Sequence, residues 1–349
     1  MRVLVTGGCG FIGSHVVEDL LGAGHEVRIL DDLSTARPGA PAELGAATLV
    51  VGSVTDPGAV STILDGVDAV CHQAAKVGLG SAVADLPDYV TRNDLGTAVL
   101  LAGMAAAGVG RLVLASSMVV YGEGGYTCPE HGDVRPAQRT EDDLAIGHFE
   151  PGCPTCGSPL RPHTVGEDTT LSPRNGYAAT KVAQEHLVTA WSIATGGSAI
   201  ALRYHNVYGP RLPRNTPYAG VAALFRSALA RGEAPRVFED GAQRRDFVHV
   251  TDVARANRLA VEAVGTEDLH GMRAFNVASG HPATVGEMAA ALAKALGGPA
   301  PLTTGDYRLG DVRHIVASAK RARDQLGFIA AVTLADGMTA FAAESTGTL

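Results

Sequence analysis

Along the first half of the chain, short β-branched runs alternate with longer stretches whose apolar residues recur at helical spacing. Val3-Leu4-Val5 leads into a helix-like segment from Ile12 to Ala23. Runs at Val27 to Leu30, Thr48 to Val51 and Ala69-Val70 follow, then a long helical segment from Thr91 to Val109 and another run from Leu112 to Ser116. Strand, helix and strand repeated in this way predict an α/β fold, a doubly wound parallel sheet with helices on both faces. The rhythm stops between Tyr121 and Asp168, where proline, glycine, cysteine and acidic residues take over, so an inserted module is expected. Regular patterning resumes with a helix from Tyr177 to Thr195 and a strand from Ala199 to Tyr204. Beyond Gly209, proline-rich loops and helices at Val221 to Arg231 and Val285 to Leu296 suggest a smaller mixed substrate lobe. The expected division is a nucleotide-binding domain over 1–124, an insert over 125–167, the first domain continued over 168–205, and a substrate lobe over 206–349 with segments returning to the first domain.

Composition narrows the class. Of 349 residues, 46% are hydrophobic and 18% charged, which suits a folded chain with room for two lobes. A net charge of -8 argues against nucleic acid or an anionic membrane as partner, since both need a basic face. The longest apolar stretches, such as Ala98 to Val109, fall short of the ~20 residues of a membrane span. Met1 runs straight into a strand, leaving no room for a leader, so a cytoplasmic enzyme is expected. In that compartment five cysteines point to thiols or metal ligands in place of disulfides.

The first chemistry lies at Gly7-Gly8-Cys9-Gly10-Phe11-Ile12-Gly13, between a strand and a helix. In that context Gly7 permits the tight turn, Gly10 lets backbone approach a pyrophosphate, and Gly13 lets helix and strand pack closely. The N–H groups at the helix start, at Phe11 and Ile12, would face the phosphates. Asp31, with Asp32 beside it, ends the next strand, where a carboxylate binds ribose hydroxyls and repels a 2′-phosphate. NAD is therefore expected as cofactor, with NADP left open by Arg28 and Arg37.

The second constellation is Tyr177-x-x-x-Lys181, which sets both side chains on one helix face. A lysine ammonium beside a phenol favours the phenolate and lowers its pKa, so that the tyrosine can act as a general base. The pair follows a strand ending in Ala115-Ser116-Ser117. With these motifs the chain closely resembles the extended short-chain dehydrogenase/reductase family, in particular its nucleotide-sugar epimerases and dehydratases. Matching stretches include Thr6 to Gly13, His72 to Ala75, Asn93 to Thr97, Ser116 to Gly122, Tyr177 to Lys181, Arg203 to Arg211, Arg245 to Val253 and Gly310 to Arg313. The resemblance implies that Ser117 bonds the reacting sugar hydroxyl, Tyr177 removes its proton, and Lys181 also holds the nicotinamide ribose. It places Ala74, Ala75, Asn93 and Tyr204 at the cofactor, and Asn206, Val237, Arg245 and Arg313 at the nucleotide sugar. It also implies a homodimer through the helices at Thr91 to Val109 and Tyr177 to Thr195.

Within that family the strand end discriminates. Dehydratases resemble Thr-Asp-Glu-Val-Tyr-Gly there, because eliminating water needs an additional acid and base. This chain has Ser117-Met118-Val119-Val120-Tyr121-Gly122, and neither Met118 nor Val119 transfers protons. The expected reaction is therefore C4 epimerisation through a transient 4-keto sugar. Pro217 to Val221 and Phe238 to Gly241 resemble members acting on dTDP-6-deoxyhexoses. UDP-hexose epimerisation, 4,6-dehydration and net ketoreduction remain alternatives, as does a non-catalytic dinucleotide sensor, against which the intact Ser117, Tyr177 and Lys181 speak.

The insert carries its own signal. Cys128-Pro-Glu-His131-Gly and Cys153-Pro-Thr-Cys156-Gly are two copies of one turn, each ending in glycine, with 21 residues between them. Three thiolates and one imidazole make a closed tetrahedral zinc set with no position for catalytic water, so a structural zinc is expected from Cys128, His131, Cys153 and Cys156. His148 and His163 are spares nearby. Lying between Ser117 and Tyr177, the insert is expected to form a flap beside the sugar pocket.

Overall fold

The computed structural model describes residues 1–36, 44–78, 82–213 and 220–343. Arg37 and Pro217-Tyr218-Ala219, which carried the NADP alternative and part of the 6-deoxyhexose resemblance, lie outside them.

Seven parallel strands form the main sheet: β1 (Arg2–Thr6), β2 (Glu26–Asp31), β3 (Thr48–Val51), β4 (Ala69–His72), β5 (Arg111–Ser117), β6 (Ser198–Tyr204) and β7 (Met272–Val277). Their order across the sheet is β7-β6-β5-β4-β1-β2-β3. The order reverses between β1 and β4, and a crevice for a dinucleotide lies outside the carboxyl ends of strands at such a point. Both faces are buried, which is why β4 reads Ala-Val-Cys-His with no exposed position. One face packs Val3, Val5, Val16, Val17 and Leu20 with Ile200, Leu202, Val253 and Phe275. The other packs Leu4, Leu30, Val70, Leu100, Met104, Leu112 and Leu114 with Val188 and Trp191. The strand and helix runs anticipated from the sequence are present with ends shifted by one or two residues.

One element differs in kind. The helical segment expected from Thr91 begins as a π-helix over Val90–Leu95 and becomes α-helical only at Gly96–Ala107. The wider turn sets Asn93 inward, where its amide accepts from Lys76 N at 2.7 Å and donates to Lys76 O and to Thr180 Oγ1. π-turns are rare and gather at functional sites.

Past β6 the chain builds the smaller lobe from short strand pairs and the helices Val221–Ala230, Val285–Leu296 and Leu334–Ala343 around Tyr208, Phe225, Phe247, Met288 and Phe341. Thr284 and Glu287 cap the second of these helices reciprocally. Helix Val250–Ala263 and β7 pack back on the main sheet. The insert folds on a separate three-stranded antiparallel sheet, Gly132–Val134, Gly125–Cys128 and Arg161–His163, around Tyr126, Cys128, Cys153 and Leu160. Among the described residues, no helix is long and apolar enough to cross a membrane.

His72, at the end of β4, is buried between Thr6 Oγ1 at 2.7 Å and Thr97 Oγ1 at 3.0 Å. Burial, then the Lys181 charge, push its imidazole down to about 3. In the unfolded chain it titrates near 6.5. As pH falls below 6.5 the unfolded chain takes up a proton that the native state refuses, so stability falls with pH between roughly 6.5 and 3. His72 is expected to account for about 2 kcal/mol of the stability lost between pH 7 and pH 5. Urea unfolding of the native chain beside His72→Asn checks this, and equal pH slopes would refute it.

Candidate functional site

Site residues gather at the carboxyl ends of β1, β4, β5 and β6. Gly7, first after β1, has a φ of +69°, and a Cβ there would lie 2.7 Å from Ala74 N, so the Gln73-Ala74-Ala75 segment after β4 lies directly against the glycine turn. At Gly13 a Cβ would stand 2.0 Å from Gly7 O. Gly10 is different: a methyl there would meet only Gly7 O, at 3.3 Å, so its outward side is open. Gly10 also starts helix Phe11–Gly22, and no side chain caps that helix. The N–H groups of Phe11 and Ile12 thus lie at a helix start available to an anion.

Asp31 ends β2 and accepts from Cys9 N at 2.9 Å and Leu33 N at 2.8 Å. Burial pushes its carboxyl up, and these two bonds act against that shift. Asp32 turns outward, accepting from Ser34 N and pairing with Arg92 at 3.4 Å. Asn93 is fully buried behind the site with its amide spent on Lys76 and Thr180. Tyr204, last in β6, donates to Asn257 Oδ1 at 2.8 Å and Gln73 Oε1 at 3.1 Å.

Ser117 is the last residue of β5. Tyr177 and Lys181 lie in the first turns of helix Gly176–Thr195, whose N-cap Asn175 accepts from Ala178 N at 2.8 Å. The Ser117 side chain lies beside the Tyr177 phenol and opposes the upward shift that burial imposes on it. Lys181 Nζ sits 5.9 Å from the Tyr177 ring centroid and donates to Ala115 O at 2.8 Å. Burial pushes the phenol up to about 12 against the opposing pull of Ser117, and it pushes Lys181 down to about 8 against Glu185 and Asp94. The sequence led us to expect a lowered tyrosine. In the protein alone, desolvation outweighs the lysine because the ammonium is aimed at a backbone carbonyl.

A buried strut fixes this triad. Glu185, one turn beyond Lys181, accepts from Ser116 Oγ at 2.6 Å and from Arg203 Nε and Nη2 at 2.9 and 2.7 Å. Arg203 donates to Tyr121 at 2.9 Å, and Tyr121 to Asn276 at 2.7 Å. Strands β5, β6 and β7 are thereby tied to helix Gly176–Thr195.

The residues expected at the sugar nucleotide are not equivalent. Asn206 is half-buried, and its Oδ1 is buried without a partner among the described residues. Arg245 spends its Nη groups on the carbonyls of Arg244, Val312 and Arg313, with Asp311, Glu123 and Glu239 in its wider electrostatic surroundings. Val237 is buried in the core of the smaller lobe. Arg313 is 1% exposed and saturated by carboxylates from Glu150, Glu239 and Asp240.

In the insert, the donor atoms of Cys128, His131, Cys153 and Cys156 all lie within 4.8 Å of one another. Cys128 Sγ is 3.7 Å from Cys156 Sγ and 3.5 Å from His131 Nδ1, and Cys153 Sγ is 3.7 Å from His131 Nδ1. The backbone N–H groups of Glu130 and His131 are directed at Cys128 sulfur, and those of Thr155 and Cys156 at Cys153 sulfur, each favouring the thiolate. The closing glycines, Gly132 and Gly157, are left-handed at φ +67° and +73°. His163 instead bonds Thr164 O and faces Asp133 outside the cluster.

Sequence reasoning missed Asp94, whose carboxyl burial pushes up to about 6 in the field of Lys181 and whose Oδ1 is buried without a partner among the described residues. It also missed Arg139, Glu150 and Glu239. Glu239 falls in the Phe238 to Gly241 stretch already noted, but nothing there or around Arg139 and Glu150 announces these pairings, because the partners are distant in sequence.

Comparison with known proteins agrees with this geometry. The model of the NAD dependent epimerase/dehydratase family matches residues 3–142 and 155–278, broken only within the insert. The dTDP-L-rhamnose 4-epimerase of Burkholderia thailandensis is 32% identical over 338 residues, covering 94% of this chain and 90% of that protein. The UDP-glucose 4-epimerase of Thermotoga maritima, solved with UDP-glucose, superposes with a TM-score of 0.80 at 28% identity, covering 98% of this chain and 97% of that one. The UDP-glucose 4-epimerase of Thermus thermophilus, solved with NAD, gives 0.78 at 30% identity with both chains fully covered. With the glycine turn, the Ser117, Tyr177 and Lys181 grouping and matched length on the same page, this chain belongs to the NAD dependent epimerase/dehydratase family.

Proposed function

We propose that this chain is a nucleotide-diphosphate-sugar 4-epimerase working with a tightly held NAD. The observation that carries the reading is Ser117 beside the Tyr177 phenol with Lys181 next to them, at a strand end followed by Met118 and Val119. NAD would be held by Gly7, Gly10, Phe11, Ile12, Gly13, Asp31 and Asp32, with Ala74, Ala75, Asn93 and Tyr204 lining or supporting its site. When bound, it supplies a hydride acceptor and a positive charge next to the phenol. Ser117 orients the sugar hydroxyl, Tyr177 takes its proton and later returns one, and Lys181 holds positive charge near the phenol oxygen. Asn206, Arg245 and Arg313, with Val237 nearby, are assigned to the nucleotide sugar.

A dTDP-6-deoxyhexose such as dTDP-L-rhamnose is the first candidate substrate, in line with the Burkholderia relative. UDP-hexoses are the second, in line with the Thermotoga structure. Incubating the protein with UDP-, dTDP- and GDP-sugars, without added cofactor, and reading products by NMR tests both. Paired C4 epimers with no net NADH are expected. Only 4-keto-6-deoxy products would instead make it a dehydratase, and accumulating NADH an oxidoreductase.

We further propose a structural zinc at Cys128, His131, Cys153 and Cys156. Tetrahedral zinc with sulfur at ~2.3 Å sets its donors ~3.5–3.8 Å apart, in line with three donor separations of 3.5 to 3.7 Å in a cluster whose donors all lie within 4.8 Å of one another. The N–H groups aimed at two of the sulfurs suit thiolates. Metal analysis should find one zinc per chain, and chelation or Cys153→Ser should expose the insert to protease while the main sheet resists. A purified chain without zinc but with a protease-resistant insert would exclude the site. A zinc-free protein with full substrate affinity would exclude a role for the insert as a flap.

The four-part division of the chain is part of the same proposal. So is a homodimer: Val83, Leu86 and Val90 just before the Thr91 to Val109 segment, Leu95 within it and Ile193 on the catalytic helix are exposed apolar residues. A solution mass of one chain would rule the dimer out.

A further inference from the structure

The insert reaches Arg245 through one short segment, residues 312–315. On one side of that segment lie Arg244 and Arg245. Ile315 N donates to Arg244 O at 3.1 Å, and Arg244 N to His314 Nδ1 at 3.0 Å. The Arg245 Nη groups donate to Val312 O and Arg313 O at 2.6 and 2.9 Å. On the other side lies the first strand of the insert, Gly125–Cys128. Gly124 N donates to His314 O at 3.0 Å, and His314 N donates to the Tyr126 hydroxyl at 3.2 Å. The approach is so close that a Cβ on Gly124 would stand 2.2 Å from His314 O. At its far end the insert returns to the same stretch, where Val165 N donates to Val316 O and Ser318 N to Val165 O, both at 2.9 Å.

The carbonyls that grip Arg245 are therefore set by the insert. With its Nη groups held, Arg245 has a fixed orientation, while its Nε–H has no partner among the described residues. A guanidinium fixed in this way presents its remaining donors in the planar fork that suits phosphate. Tyr126 is fully buried, shares one core with Cys128, Cys153 and Leu160, and sets its ring 6.1 Å from that of His314. It is also neutral in a neighbourhood crowded with charge. Glu123, Asp311 and Glu239 face Arg245, Arg308 faces Asp311, and Arg139 and Arg313 pair with Glu239. Substituting any of these alters the field at Arg245 directly, whereas removing the Tyr126 hydroxyl changes no charge.

We propose that Tyr126 is a positioning residue for Arg245: by holding His314 it fixes the Val312 and Arg313 carbonyls, and with them the arginine that meets the substrate diphosphate. The insert acts in this way as a buttress of the nucleotide-sugar site. The proposal rests on the assignment of Arg245 to the nucleotide sugar made above.

The test is calorimetric binding of UDP and dTDP to the native chain, Tyr126→Phe and Arg245→Gln, with steady-state kinetics on the nucleotide sugar that is turned over. Losing one buried hydrogen bond that acts through a second residue should weaken diphosphate binding about threefold to tenfold and raise KM by the same factor. The kcat should stay within about twofold, and NAD released on denaturation should be unchanged, because the glycine turn, Ser117, Tyr177 and Lys181 lie outside the segment. Native affinity in a folded Tyr126→Phe overturns the proposal. So does a fall in kcat or bound NAD as large as the rise in KM, since a general loosening of the fold gives that pattern. Should the variant fold poorly, amide exchange in the native chain decides. An insert that favours the binding arrangement must itself be steadied by binding, so saturating UDP should slow exchange across residues 124–128 as well as 312–316, and unchanged exchange at 124–128 overturns the proposal. Native UDP affinity in Arg245→Gln, or a native chain that binds neither UDP nor dTDP, instead removes the reading of Arg245 as a substrate contact, and the proposal with it.

Discussion

Tyr177→Phe is expected to lower kcat about a thousandfold, within the 10²- to 10⁴-fold range for losing a positioned acid or base, while bound NAD and stability stay close to native. Among the described residues the hydroxyl's polar neighbour is Ser117, and losing that contact should cost no more than about 1 kcal/mol. The comparison that gives this force is Tyr121, four residues past Ser117. Its hydroxyl is also buried, but it donates to Asn276 and accepts from Arg203, inside the strut that ties β5, β6 and β7 together. Tyr121→Phe should therefore lower the unfolding midpoint and leave kcat nearly unchanged. Product NMR on the nucleotide sugar that is turned over, with thermal unfolding on the same preparations, separates the two tyrosines. Activity of Tyr177→Phe within tenfold of native would remove Tyr177 from its catalytic assignment.

Substituting alanine in the glycine turn should split binding from folding. At Gly13 the added Cβ would lie 2.0 Å from Gly7 O, far inside contact distance and against backbone that is itself held by Ala74. Gly13→Ala is expected to cost about 3 kcal/mol of stability and to lose the cofactor as the turn opens. At Gly10 the Cβ meets only Gly7 O at 3.3 Å, and its φ of -78° suits any residue, so the fold should keep its midpoint within about 1 kcal/mol. The methyl would instead occupy the space over which a pyrophosphate must come, and bound NAD should fall at least about a hundredfold in affinity. Nucleotide released on denaturation, measured beside the melting curve, reads both effects. A Gly10→Ala protein that keeps its NAD would show that the open side of Gly10 is not the phosphate position.

Much of the fold was legible because its signals are local. The β-branched runs, the glycine turn after β1 and the acidic end of β2 are each written in a few consecutive residues, though the turn and Asp31, 22 residues apart at Cys9, meet only because β1 and β2 pair in parallel. The same holds for the two metal-type knuckles, whose left-handed glycines and sulfur-directed N–H groups follow from one short motif repeated. Tyr177 and Lys181 were recognisable for that reason as well, being one helical turn apart.

What the tertiary structure alone decided concerns groups whose neighbours are far away along the chain. The Tyr177 phenol is held up to about 12 by burial and not drawn down by its helical neighbour, because Lys181 is aimed at Ala115 O in another strand. The π-turn at Val90–Leu95 forms because Asn93 finds partners at Lys76 and Thr180, which no local pattern announces. Arg313 reads in sequence as a free cation in a Gly-Asp-Val-Arg motif, yet it is enclosed by carboxylates that begin 73 and 163 residues away. Spacing reveals which groups are available for chemistry. Their charge state and freedom depend on desolvation and on partners that only the folded chain brings within a few ångströms.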